Sequence, residues 1–192
     1  MTRARRAAHL LLLTLLLSTS LAACSPEGVR TEGGPLREIP DHGYGGVTVS
    51  VGRTFTDGFD ILSIEGPETV TIEKVELLDP SPGIELVSAE LAGSARSVGG
   101  VFQFDASYPP SAPGLGPLVD AAGAELTRAS TGMLGYELVL GMRVAAEGRY
   151  TRHGYVVLYR ANGVEYSRSV VAEVSVCTEH ALDENGDCPF TR

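Results

Sequence analysis

The sequence predicts an all-β domain, an antiparallel β-sandwich of about seven or eight strands. Three observations lead there. Apolar residues recur with period two in run after run between residues 46 and 178, as half-buried strands require. No segment of that stretch carries a long apolar period of 3.6 residues. Turn residues also break the chain at short intervals, and Asn162-Gly163 between two strand-like runs is a strong hairpin signal.

Residues 1–23 precede the domain. Arg3, Arg5 and Arg6 form a basic head, Leu10–Leu17 a short apolar middle, and Ser18-Thr19-Ser20 leads into Leu21-Ala22-Ala23-Cys24. This is the layout of a secretory signal peptide. Its apolar middle is too short for a membrane span, which needs about 20 residues. Residues 24–45 are dominated by Gly, Pro and charge, and read as a flexible tether.

The expected strands follow in order. "VTVSV" places Val47, Val49 and Val51 on one face, and "FDILSI" is a second short apolar stretch. "TVTIEKVELLD" puts Val70 and Ile72 on one face, then Val75 and Leu77 in the other phase, so a β-bulge or bend is expected across Glu73-Lys74. "IELVSAEL" comes after the turn residues Asp79–Gly83, and "GVFQF" is a further short strand. In "YELVLGMRV", Tyr136, Leu138, Leu140, Met142 and Val144 share a face. "GYVVLYR" and "VEYSRSVVAEVSV" flank the hairpin turn, with Arg168 interrupting the apolar face of the latter near its rim. Residues 105–135 fit this scheme least. Pro117 could start a short helix through Leu126, but Gly123 weakens it, so an excursion with a short strand or turn is preferred.

Two resemblances extend this reading. Leu21-Ala22-Ala23-Cys24 resembles the lipobox of bacterial lipoproteins. That resemblance implies a diacylglycerol on the Cys24 thiol, cleavage just before it, and a membrane held through the N-terminal lipid. Two or three acyl chains anchor firmly, at about 0.8 kcal/mol per buried CH₂. The single lysine, Lys74, against fourteen arginines suggests a GC-rich coding sequence such as an actinobacterial one. There the anchor would sit in the extracytoplasmic face of the cell membrane. In a host with two membranes, Ser25 after the cysteine would favour the outer one. The second resemblance lies in "ILSIEGPETVTIEKVELLDPSPGIEL", which looks like the early strands of bacterial immunoglobulin-like domains. Together with "GYELVLGMRVAAEGRY" it is similar to uncharacterised lipoproteins of actinobacteria. The implied fold is an immunoglobulin-like sandwich over residues 46–178. The Cys–Trp–Cys core of antibody domains is absent, because the chain has no Trp. The resemblance carries no functional residues.

Three cysteines are an odd number for an exported chain. With Cys24 acylated, Cys177 and Cys188 remain, and an oxidising compartment favours joining them into a disulfide that closes the tail, residues 179–192. A zinc site is the alternative use, but only His180 lies between them. Removing residues 1–23 takes three arginines and no acid, leaving 12 basic and 24 acidic side chains, a net charge near −12. That balance disfavours nucleic acid and disfavours electrostatic attachment to anionic lipid.

No catalytic constellation is legible. There is no G-x-S-x-G frame, no phosphate loop and no H-E-x-x-H. His42, His153 and His180 lie far apart in sequence and are expected at the surface or in turns. Of Met133 and Met142, the latter lies on an apolar strand face and fits the core better than copper. Asp183, Asn185 and Asp187 alternate like the opening of a calcium loop. Cys188 stands where such a loop needs Gly, so a solvated turn over Asn185-Gly186 outweighs an irregular calcium site. "SYPPSAPG" could dock a partner in extended form, against the plainer reading of a surface loop. The expected function is therefore a non-enzymatic interaction or scaffold module without cofactor, binding an unknown protein partner. A ligand- or metal-ion-binding lipoprotein accessory to a transporter or secretion system is the alternative.

Overall fold

In the computed structural model, residues 30–39, 45–92, 104–105, 107–110, 117–128 and 135–189 are described. Alternating side chains along these strands bury one face of each of two sheets, and the two faces pack together as a sandwich. One sheet runs in the order β2 (Leu36–Ile39), β4 (Thr54–Ile64), β10 (Tyr136–Val144), β6 (Ile84–Ala92) and β8 (Leu118–Asp120). Strand β7 (Phe104–Asp105) also pairs with β4 in that sheet. The other runs β1 (Thr31–Glu32), β12 (Val164–Cys177), β11 (Arg149–Ala161), β5 (Val70–Leu77) and β9 (Glu125–Leu126). Strand β3 (Gly45–Thr48) also pairs with β12 there.

This order is the immunoglobulin plan. Strands β2, β4, β10 and β6 take the places of A, B, E and D, and β5, β11 and β12 those of C, F and G. Three local features hold the chain to it. Asn162 and Gly163 both have positive φ, 50° and 77°, as the two-residue turn joining β11 to β12 requires. Ala161 pairs directly with Val164 across that turn. In β5, Lys74 pairs with Leu158 and Ile72 with Tyr159, which leaves Glu73 as the bulged residue. The bulge reverses the phase, so Ile72 and Val75 both face the core, as the sequence pattern required. At the start of β11 the Tyr150 hydroxyl donates to the Glu147 carbonyl three residues upstream, 2.6 Å away. That arrangement corresponds to the tyrosine corner of immunoglobulin-like sandwiches. A Cβ at Gly83 would overlap the Tyr150 ring, so the β5–β6 loop must bring a glycine there.

The core draws Leu62, Leu138, Leu140 and Met142 from one sheet, and Ile72, Tyr155, Val157, Tyr159, Val170 and Val176 from the other. Tyr159 stacks on Tyr166 with ring centroids 5.4 Å apart.

Several expectations are corrected. Part of the proposed tether, residues 24–45, is domain: β1 and β2 lie within it, and Leu36 is fully buried. The Tyr159 hydroxyl explains this. It donates to the Gly33 carbonyl and accepts from the Leu36 amide, so the core fastens a stretch that lacks apolar periodicity of its own. Val51 leaves the apolar face of its run, because β3 ends at Thr48 and Val51 lies exposed in the following turn. Pairing is not wholly antiparallel, since β1 and β3 both run parallel to β12. After Pro117 the preferred reading holds: short strands and a turn form, as β8 and β9, in place of the alternative helix. Gly123, at φ 85°, turns the chain between β8 and β9, and the Ala122 amide donates to Asp120 Oδ1 there. The strands number twelve among the described residues because short edge pairings add to the expected long ones.

Both sides of the sandwich are closed by segments that change sheet. On one side β8 pairs with β6 and β9 with β5 within a dozen residues. On the other, β1, β2 and β3 pair with β12, β4 and β12 in turn. Such closure covers the ladder ends that would otherwise recruit other chains.

Candidate functional site

Among the described residues a group of titratable side chains lies inside the sandwich. Asp57 pairs across β10 with Leu140 and Asp60 with Leu138, both core-facing leucines. Two residues of β4, Gly58 and Phe59, separate the two aspartates where one residue of β10 separates the leucines. This bulge turns both aspartates inward. From the opposite sheet β11 supplies Arg152 and Tyr155. One Arg152 guanidinium nitrogen lies 2.5 Å from Asp57 Oδ2, and the two side chains are only 3% and 1% exposed. Asp60 is buried and Tyr155 wholly so. Burial, and after it the negative charge of Asp60, push the Tyr155 phenol well above its ordinary range, so it stays protonated at any physiological pH.

The group therefore joins B to F across the two sheets, the strands that a disulfide joins in antibody domains. A charge taken from water is costly, and a partner within hydrogen-bond distance offsets that cost. Beside Arg152 a shallow cleft is lined by Leu77, Pro80, Ile84 and Thr151, too tight to enclose a water molecule. Sequence reasoning missed this group. The signal was present, because Asp60 falls inside the apolar stretch "FDILSI" and shares the phase of Leu62 and Ile64.

The residues singled out from sequence are placed as follows. Cys24 and His42 lie outside the described residues. The sulfurs of Cys177 and Cys188 are at disulfide distance, 2.12 Å. The linked tail lies against β3, where a Cβ on Gly46 would meet Cys188. Asp183 Oδ1 accepts the amides of Asn185 and Asp187, each at 2.9 Å. Those backbone donors hold the Asp183 carboxyl below its usual range, and the loop is closed by its own hydrogen bonds. Among the described residues no three His, Cys, Asp or Glu side chains come together as a metal site. His153 Nδ1 lies 3.2 Å from Glu173 on the surface, and His180 sits in the single turn of 3₁₀ helix over Glu179–Ala181. Met142 is fully buried, and Met133 is outside the described residues.

In "SYPPSAPG", the tyrosine is taken up by the fold. Thr56 Oγ1 donates to the Ser107 carbonyl, and the Tyr108 hydroxyl donates to Glu90, both at 2.5 Å. The Tyr108 ring lies over Gly141, where a Cβ would come within 2.7 Å of it. Burial and Glu90 raise the Tyr108 phenol to about 12. On the outer face of the other sheet Arg30, Glu73, Arg160 and Glu165 form a network. Glu73 lies 2.7 Å from Arg30 and 2.8 Å from Arg160, which in turn reaches Glu165 at 3.0 Å.

No helix among the described residues is long and apolar enough to cross a membrane. No family model matches the chain, and no curated protein matches it. A solved structure, the VesB protease of Vibrio cholerae, aligns at 7% identity and a TM-score of 0.34, covering 75% of this chain and 32% of that one. The chain thus spans about a third of that protein, and a likeness at this level carries no argument about activity.

Proposed function

We propose that this chain is a lipid-anchored, extracytoplasmic interaction module, an immunoglobulin-like sandwich held to the cell envelope through Cys24 and acting by binding another protein rather than by catalysis. The observation that carries this reading is the nearness of the lipobox-like cysteine to the fold: β1 begins at Thr31, a few residues after Cys24. The burial of Asp57, Arg152 and Tyr155 also supports it. Tyr155, whose phenol burial raises well above its ordinary range, lies wholly buried in the core and not at an exposed surface. That leaves the end loops and outer sheet faces for recognition.

Two measurements test the reading. Cys24→Ala should release the protein from the membrane fraction into the medium, and unchanged retention would sink the anchor. Cross-linking on intact cells should capture one protein reproducibly, with a yield that falls in Cys24→Ala. No captured protein, together with turnover in a substrate screen, would reverse the assignment to a binding module.

A further inference from the structure

We propose that the anchored sandwich stands on the bilayer by one particular end: the β4–β5 turn (Glu65–Thr69) and the tip of the β11–β12 hairpin face the phospholipid surface, and the opposite end faces outward. The inference rests on acylation of Cys24 and goes beyond it, because an anchor alone does not orient a domain.

The direction of β1 comes first. Thr31 pairs with Tyr166 and Glu32 with Ser167 in parallel register. Strand β12 runs away from the hairpin turn, so the chain traced backward from Thr31 leaves toward the hairpin. Tyr166 lies only about 10 Å along the strand from the turn, whereas Cys177, at the far end of β12, lies about 36 Å from Tyr166. The seven residue steps from Cys24 to Thr31 span at most about 25 Å, less than the length of β12 beyond Tyr166. The far end of the sandwich therefore cannot be the end that rests on the lipid.

The charges agree with this direction. The far end gathers the β5–β6 loop, the β10–β11 loop and the disulfide-closed tail. Its carboxylates are Asp79, Glu147, Glu179, Asp183, Glu184 and Asp187, against Arg53 and Arg149. An anionic bilayer repels that end. At the hairpin end Glu65 is paired with Arg37 at 3.1 Å and Glu165 with Arg160 at 3.0 Å, Glu68 is the other carboxylate of the β4–β5 turn, and the tip itself is uncharged: Asn162, Gly163 and Val164, the last 45% exposed. The outward surface available to a protein partner is thus the loop end around Asp79–Gly83 and the tail.

The test uses the full acylated chain in bilayer discs of phosphatidylcholine and phosphatidylglycerol carrying a gadolinium-chelate headgroup lipid. Intact mass first establishes the acyl group on Cys24. Amide broadening should be strong at Val164 and Glu68, and at least about tenfold weaker at Gly83 and Glu184, given the ~43 Å of strand from Val164 to Cys177. The Cys24→Ala protein should show no broadening at either end. Equal or reversed broadening in acylated protein overturns the orientation and leaves the anchor standing. Absence of the acyl group overturns the anchor and the orientation with it.

Discussion

Two groups of arginines and carboxylates knit this sandwich, and they differ in little but water. Asp57 and Arg152 meet inside it, 1% and 3% exposed. Arg30, Glu73, Arg160 and Glu165 meet on the outer face of one sheet, with Glu73 23% and Arg160 50% exposed. Both groups link strands distant in sequence at similar separations. The surface network loses little when a member is removed, because water takes its place. The buried pair has no such reserve, and its value lies in neither charge being left alone.

Breaking the buried pair gives the largest expected effect. Asp57→Ala leaves Arg152 without its partner and should lower the unfolding free energy by about 3–5 kcal/mol, read from denaturant midpoints. The double variant Asp57→Leu/Arg152→Met should recover part of that loss, since the apolar pair carries no desolvation cost while the buried Asp60 carboxylate loses the nearby cation. If the double variant is as unstable as the single one, the pair is doing more than balancing itself.

The disulfide provides a covalent standard for the same comparison. Cys177→Ser/Cys188→Ser should cost about 2–3 kcal/mol, less than stranding the buried arginine, because the closed loop is short. Hydrogen exchange should rise in β3, against which the tail lies at Gly46.

Alkaline pH probes the core from another side. Tyr155 titrates at a higher pH folded than unfolded, so its contribution is fully present below the unfolded value of about 10. It is lost as pH rises beyond that value, because the unfolded chain then releases a proton that the folded chain keeps. Stability measured across this range should fall, and the fall should be shallower in Tyr155→Phe. Tyr108, on the outer face, should add a second contribution between about 10 and 12. Smallest of all, Glu73→Gln should change stability by less than about 1 kcal/mol, and added salt should shrink even that. A loss there comparable to Asp57→Ala would erase the distinction between the two groups.

The sequence made much of the fold legible, for identifiable reasons. Asn162-Gly163 announces its turn because few other pairs tolerate two positive φ angles. The Glu73 bulge shows as a phase change because the core demands Val70, Ile72 and Val75 together. The strap over residues 31–39 was hidden, since it is fixed by one distant phenol, Tyr159, and by pairing to strands that follow it. The buried ion pair was hidden for a related reason. A β-bulge in β4 puts Asp57 inward out of phase with Asp60, and inward aspartates read as polar interruptions until Arg152 on β11 is placed beside them.

The strap also sets the order in which this chain can fold. Glu32 bonds Ser167 across a separation of 135 residues, and Leu36 meets Tyr159 across 123. The first strands must therefore wait for the last before they find their places. Pairing of such high contact order is slow, and it exposes edges until it finishes. A chain delivered N-terminus first completes its sandwich only once its C-terminal strand has arrived. Its earliest residues are then the last to be secured.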